Sequence, residues 1–189
     1  MFKTQYSVKG WTEMQLRDKN GKVKRMFQEN EVWKLFKSLF NVDLKIPYLF
    51  GNWTTLSTRH NLITTVGKKL VADQLGGTVT TPATCLAIGI GTTGAAAGNT
   101  TLESEIVTYG GERGAATVTN ATTTTTGDTE QWAKIFTITA GGTFAITEEG
   151  ILNNVTSGGV LVARQVFSAV NVVAGDSLAI THKIQVTTS

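Results

Sequence analysis

Short runs of β-type residues with a two-residue hydrophobic period dominate the chain. Residues 144–152 and 160–167 are two such runs, separated by Asn153-Asn154 and Ser157-Gly158-Gly159. Those residue types tolerate the positive φ of a tight connection, so the pair predicts a β-hairpin. In the second arm Leu161, Ala163, Gln165 and Phe167 alternate with Val160, Val162, Arg164 and Val166. An arm apolar on both sides is covered on both sides, by sheet against sheet or by subunit against subunit. Similar runs occupy residues 84–90, 117–125, 131–139, 170–173 and 177–187, with Gly127-Asp128, Gly141-Gly142 and Ala174-Gly175-Asp176 as turns. Short strands, glycine turns and no intervening helices predict a mainly β fold, an antiparallel jelly-roll-like sandwich.

The N-terminal third follows other rules. Residues 4–11 and 13–18 read as strands, and Asp18-Lys19-Asn20-Gly21 turns the chain into a returning strand over 22–27. Asn30 can cap a helix whose apolar positions Val32, Leu35, Phe36, Leu39 and Phe40 fall at i, i+3, i+4, i+7 and i+8. Residues 41–53 place Tyr48, Phe50 and Trp53 around Pro47, a stretch apolar enough to predict burial on its own domain or on a neighbour. A second helix is predicted over 64–75, capped by Thr64 or Thr65, with Val66, Leu70 and Val71 on one face and Gly76-Gly77 ending it. The division expected is an N-terminal mixed α/β anchoring segment, 1–60, and a β-sandwich domain, 61–189.

Composition changes this picture little, but charge divides it. The 189 residues are 41% apolar, enough for a core. No apolar run approaches the ~20 residues that span a bilayer, and no secretory h-region is expected at the N-terminus. Up to Lys69 there are 13 Lys and Arg against 5 Asp and Glu, and from Leu70 onward 4 against 9. A basic third is joined to an acidic remainder; with no cationic run longer than two, a surface facing an acidic protein is expected rather than a nucleic-acid site.

Candidate chemistry is sparse. Gly89-Ile90-Gly91-Thr92-Thr93-Gly94 spells G-x-G-x-x-G, but no helix and parallel strand follow, so a glycine loop leaving a strand is expected instead of a dinucleotide site. His60, His182 and Cys85 cannot supply a three-residue nitrogen and sulfur metal site, and no cofactor is expected. Cys85 reads as a buried small hydrophobe and His182 as a packed histidine. Asp128 and Asp176 sit in turns and read as structural, with a calcium site as the alternative. Adjacent carboxylates Glu148 and Glu149 point to opposite faces of a strand, which argues against a paired acid and base and turns one of them inward. Arg164, flanked by valines, is expected to pair with Glu105, Glu148 or Glu149.

The order Asn61-Leu62-Ile63, Gly67, IGIGT (Ile88 to Thr92), Leu102-x-x-Glu105, Arg113, EEGILNN (Glu148 to Asn154), GVLVARQVF (Gly159 to Phe167) and GDSLAITHKIQV (Gly175 to Val186) resembles a group of tailed-bacteriophage virion proteins. These are capsid decoration (cement) proteins or tail and neck fibre components. The resemblance implies a non-enzymatic virion protein, assembled in the host cytoplasm, whose partner is the major capsid protein or another virion protein. The N-terminal third would anchor it through Trp11, Trp33, Phe36, Phe40, Tyr48, Phe50 and Trp53. The doubly apolar arm predicts a homo-oligomer, a trimer. The alternative is a fibre head that binds glycans, with Trp132 stacking on sugar rings.

Overall fold

In the computed structural model the chain is mainly β, with two antiparallel sheets forming a sandwich. Residues 6–30, 51–78 and 81–188 are described, together with Val32, Leu35, Leu39 and Leu49. The first sheet runs β2 (Val23–Lys24), β1 (Tyr6–Arg17), β13 (Ser177–Thr188), β10 (Thr129–Thr137), β9 (Thr117–Ala121), with β5 (Ser57–His60) also paired to β1. The second runs β6 (Leu62–Ile63), β12 (Leu161–Val173), β11 (Thr143–Leu152), β7 (Cys85–Gly89), β8 (Gly114–Ala115). A ribbon of β3 (Met26–Glu29) and β4 (Gly51–Thr54) stands beside β12.

Period-two alternation builds the first sheet. Thr12, Met14 and Leu16 of β1 and Leu178, Ile180 and His182 of β13 turn inward onto Phe136 and Trp132 of β10. Thr12 keeps the inward parity of Met14, so β1 is one strand where two were expected. It pairs with β13 along its whole length, from Tyr6↔Thr188 to Arg17↔Ser177. The boundary expected at residue 60 therefore runs through this sheet: β1, β2 and β5 lie before it and complete the same core as the strands after it.

In the second sheet the expected hairpin is β11–β12, and β12 continues through Ser168 and Ala169 without the expected break. Its register against β11 shifts between Ile146 and Glu148. There Thr147 alone on β11 stands opposite Phe167, Ser168 and Ala169 on β12, a bulge at which the inward parity changes. Ile146 before the shift and Glu149 and Ile151 after it consequently all face the first sheet. The outer face carries Cys85, Ala87, Leu152 and Leu161, packed with Leu102. Residues 90–106 of the same chain fold back over it, with Ile90 N–H donating to Ser104 O at 2.8 Å and Ile106 N–H to Ile88 O at 2.9 Å. This layer, rather than a second subunit, covers the other side of the doubly apolar arm.

The helix α1 (Thr65–Leu75) starts where Thr64 Oγ1 accepts from Gly67 N–H at 2.9 Å. Gly67 lies so close to the Val162 carbonyl that a Cβ would overlap it. This contact buries Gly67 and Leu70 and leaves Val71, expected on the packed face, 39% exposed. Of the aromatic stretch expected to be buried, Leu49 and Trp53 are exposed, while Phe27 on β3 is buried with its ring edge against Trp53.

Candidate functional site

Adjacent Glu148 and Glu149 are both fully buried and diverge to the two faces of β11. Glu148 turns outward beneath the 90–106 layer. Its Oε1 accepts from Gly91 N–H (3.0 Å) and Ser104 N–H (2.7 Å), and its Oε2 from Glu103 N–H (3.1 Å) and Arg164 Nε (2.9 Å), with Arg164 Nη2 in ion-pair contact at 2.8 Å. Arg164, 1% exposed, also donates to Asn99 Oδ1 at 3.1 Å and reaches Glu103 at 3.4 Å. The Thr93 hydroxyl and N–H, helped by Arg164, hold the Glu103 carboxyl below the usual carboxylate range. Of the three acids considered for Arg164, the geometry brings only Glu148 to it. Glu105 belongs to Arg113, and this pairing raises the pKa of that guanidinium above its ordinary value. Arg113 Nη1 also donates to Gly158 O at 2.9 Å, tying down the β11–β12 turn. The glycine motif finds its reason here: a Cβ on Gly89 or Gly91 would collide with the Glu148 carboxylate.

Glu149 turns inward and joins the sheets. His182 Nδ1 lies 3.0 Å from both its oxygens, and Thr12 Oγ1 donates to Oε1 at 2.7 Å. A nitrogen facing a carboxylate carries the proton, so Nδ1–H is the donor. On the far side His182 Nε2 meets the Asn61 amide, for which Gly10 leaves the room, and Asn61 Oδ1 has no hydrogen-bond partner. Trp132 stands edge-on to the imidazole and donates from Nε1 to Ala83 O at 2.7 Å. At 7% exposure it offers no face to a sugar, a correction to the role considered for it.

Asp128 organises the threonine loop. Its carboxylate accepts from the N–H groups of Thr123, Thr124 and Thr125 at 2.9, 3.0 and 2.9 Å and from Gln185 Nε2 at 2.7 Å. Desolvation pushes this carboxyl up, but the backbone donors of Thr125 and Thr123, with Gln185 and the Thr124 hydroxyl, outweigh it and hold the group far below the ordinary range. A depressed folded-state value stabilises the fold in full above the unfolded value of about 3.9, and that contribution is lost progressively as pH falls from there toward the folded-state value. Asp128→Asn is thus expected to lower the urea midpoint at pH 7, with the difference from wild type shrinking below about pH 4. Asp176 accepts from Lys24 Nζ at 2.7 Å and Val173 N–H at 3.1 Å. Among the described residues no group of three His, Cys, Asp or Glu is placed to hold a metal ion.

No protein-family model, curated protein or solved structure matches the chain.

The anchoring residues divide. Trp11 is half-buried on the outer face of the first sheet, donating to Glu13 at 3.3 Å beneath Lys183, whose Nζ is 5.9 Å from its ring centre. Trp53 is 46% exposed. Trp33, Phe36, Phe40, Tyr48 and Phe50 lie outside the described residues. Val32, Leu35 and Leu39, at helical spacing, are 62%, 64% and 67% exposed, with Leu56 at 50%. A groove of about 1340 Å³ between β5, the 90–95 segment and the strands β11 and β12 is lined by His60, Thr92, Phe144, Gln165 and Phe167 among others. Sequence reasoning missed Glu103, Asn99, Thr12 and Asn61. Only Thr12 left a signal, as a polar residue in step with Met14 and Leu16.

Proposed function

We propose that the chain is a non-enzymatic structural protein of a tailed-bacteriophage virion, a decoration protein that binds the major capsid protein lattice and acts as a homo-oligomer, a trimer. The observation that carries this reading is the exposed apolar set of the N-terminal third: Val32, Leu35 and Leu39 on one helical face, with Leu49, Trp53 and Leu56. Folded proteins that work alone rarely expose such patches, and a partner surface is their ordinary use. The interior supports the same reading. Glu148, Glu149, Arg164 and His182 are at most 1% exposed, and their bonds staple layers of the fold together. The trimer draws no support from β12, which is covered within its own chain, and sedimentation equilibrium tests it.

The test uses particles of the source phage stripped of this protein. Triple replacement of Val32, Leu35 and Leu39 by Ser is expected to abolish rebinding and heat protection while leaving the urea midpoint unchanged, since those side chains are exposed. Undiminished rebinding by the variant rejects the anchor. Densitometry of purified virions is expected to give a copy number in proportion to the capsid protein, and sedimentation equilibrium a trimer. The second reading, a fibre head that binds glycans, draws on the groove beside His60 and Phe144, and a few copies per virion with binding to host glycans supports it instead.

A further inference from the structure

Residues 17–25 hold five cations, Arg17, Lys19, Lys22, Lys24 and Arg25, and one acid, Asp18. The β1–β2 turn fixes them in place. Asp18 N–H donates to Lys22 O and Gly21 N–H to Asp18 O, both at 2.9 Å, with Gly21 at φ 79°. Arg17 Nη1 bonds Gly21 O at 2.9 Å and its Nη2 bonds Gln15 at 2.7 Å. Two acids beside the turn are already engaged: Asp18 accepts from Asn20 N–H and Lys22 N–H at 2.9 Å each, and Asp176, 3% exposed, takes Lys24. The tip abuts the β12–β13 turn, where a Cβ on Gly175 would lie 2.9 Å from Lys19 Cβ. Arg17, Lys19, Lys22 and Arg25 all remain exposed.

We infer that this hairpin tip is a docking surface for a cluster of carboxylates on an acidic protein partner. The inference does not depend on the virion reading. Ordered backbone holds the cations together before a partner arrives, which lowers the entropy lost on binding compared with a basic tail. A second copy of the chain is a poorer match, because five of the described acids in its acidic part are held internally. Glu105 is held by Arg113, Glu148 by Arg164, Glu149 by His182, Asp176 by Lys24, and Asp128 by its own loop. A duplex calls for a track of cations along its phosphates and single strands for aromatic platforms, whereas this is one compact turn without an aromatic side chain.

The full chain is titrated onto immobilised poly-L-glutamate and, at the same ionic strength, onto a duplex DNA. Wild type is expected to bind poly-L-glutamate with an affinity that falls as salt is raised. The double variant Lys19→Gln/Lys22→Gln is expected to bind roughly tenfold more weakly, and Lys9→Gln/Lys68→Gln, which removes the same charge from other exposed positions, less than about twofold. All four lysines are solvent-facing, so the urea midpoint should not move. Equal weakening by the two double variants, no binding of wild type at low salt, or preference for the duplex would each overturn the inference.

Discussion

Arg164→Met, with every acid kept, is expected to destabilise the fold by about 3–5 kcal/mol, because it leaves a buried carboxylate without its cation. The measurement is urea unfolding of variant and wild type at neutral pH. Glu148 loses the Arg164 Nε donor and the charge of Nη2 beside it, and keeps three backbone N–H groups. The damage should therefore be local to the covering layer, and amides of residues 90–106 should exchange faster before the sandwich itself opens. A loss below about 1 kcal/mol is the value of a solvated surface pair and would contradict the buried geometry. Glu148→Leu is expected to be no milder, since it strips the acceptor from Gly91, Glu103 and Ser104 together, and each buried N–H left unpaired costs about 1–3 kcal/mol.

His182→Leu is expected to cost a comparable 3–5 kcal/mol, by leaving Glu149 between the sheets with only the Thr12 hydroxyl. The leucine is of suitable size and apolar, so the loss isolates the carboxylate and not a cavity. The double variant His182→Leu/Glu149→Leu removes both members of the pair and is expected to recover most of that loss, because an apolar replacement of a whole buried pair is often neutral. A double-mutant cycle on unfolding midpoints reads the coupling. Additive losses would show that the two side chains do not act as one unit.

How far these pairs were legible depended on what brings the partners together. Alternation along 160–167 was enough to say that Arg164 sits among valines and needs an anion, and alternation along 177–187 that His182 faces inward. Neither pattern names the partner. Glu148 is chosen over Glu105 because residues 90–106 fold onto the outer face, a loop placement with no periodic signal. Glu149 reaches His182 because of the register shift near Thr147, and a bulge of that kind is invisible to a strict two-residue period. The short strands β4, β5, β6 and β8 were missed for a related reason. At two to four residues they are defined by their neighbours' unpaired backbone groups and not by their own side chains. The boundary at residue 60 followed the start of the resemblance at Asn61, a pattern that carries no strand pairing, whereas β1 is placed by the core-facing Met14 and Leu16.

The pairing of β1 with β13 spans nearly the whole chain, from Tyr6↔Thr188 inward. On the ribosome β1 waits for β13, and through that interval Met14 and Leu16 lack their flanking neighbours Leu178 and Ile180. Contacts this distant in sequence pay their loop-closure entropy before they return any stabilisation, which places folding in the slow range of all-β topologies. Until β13 emerges, the flank of β1 and the flank of β10 that it will fill are open strand edges, and crowded nascent chains meet one another at such edges. Slower synthesis or a bound holdase during expression works on that interval and leaves the finished sandwich unchanged.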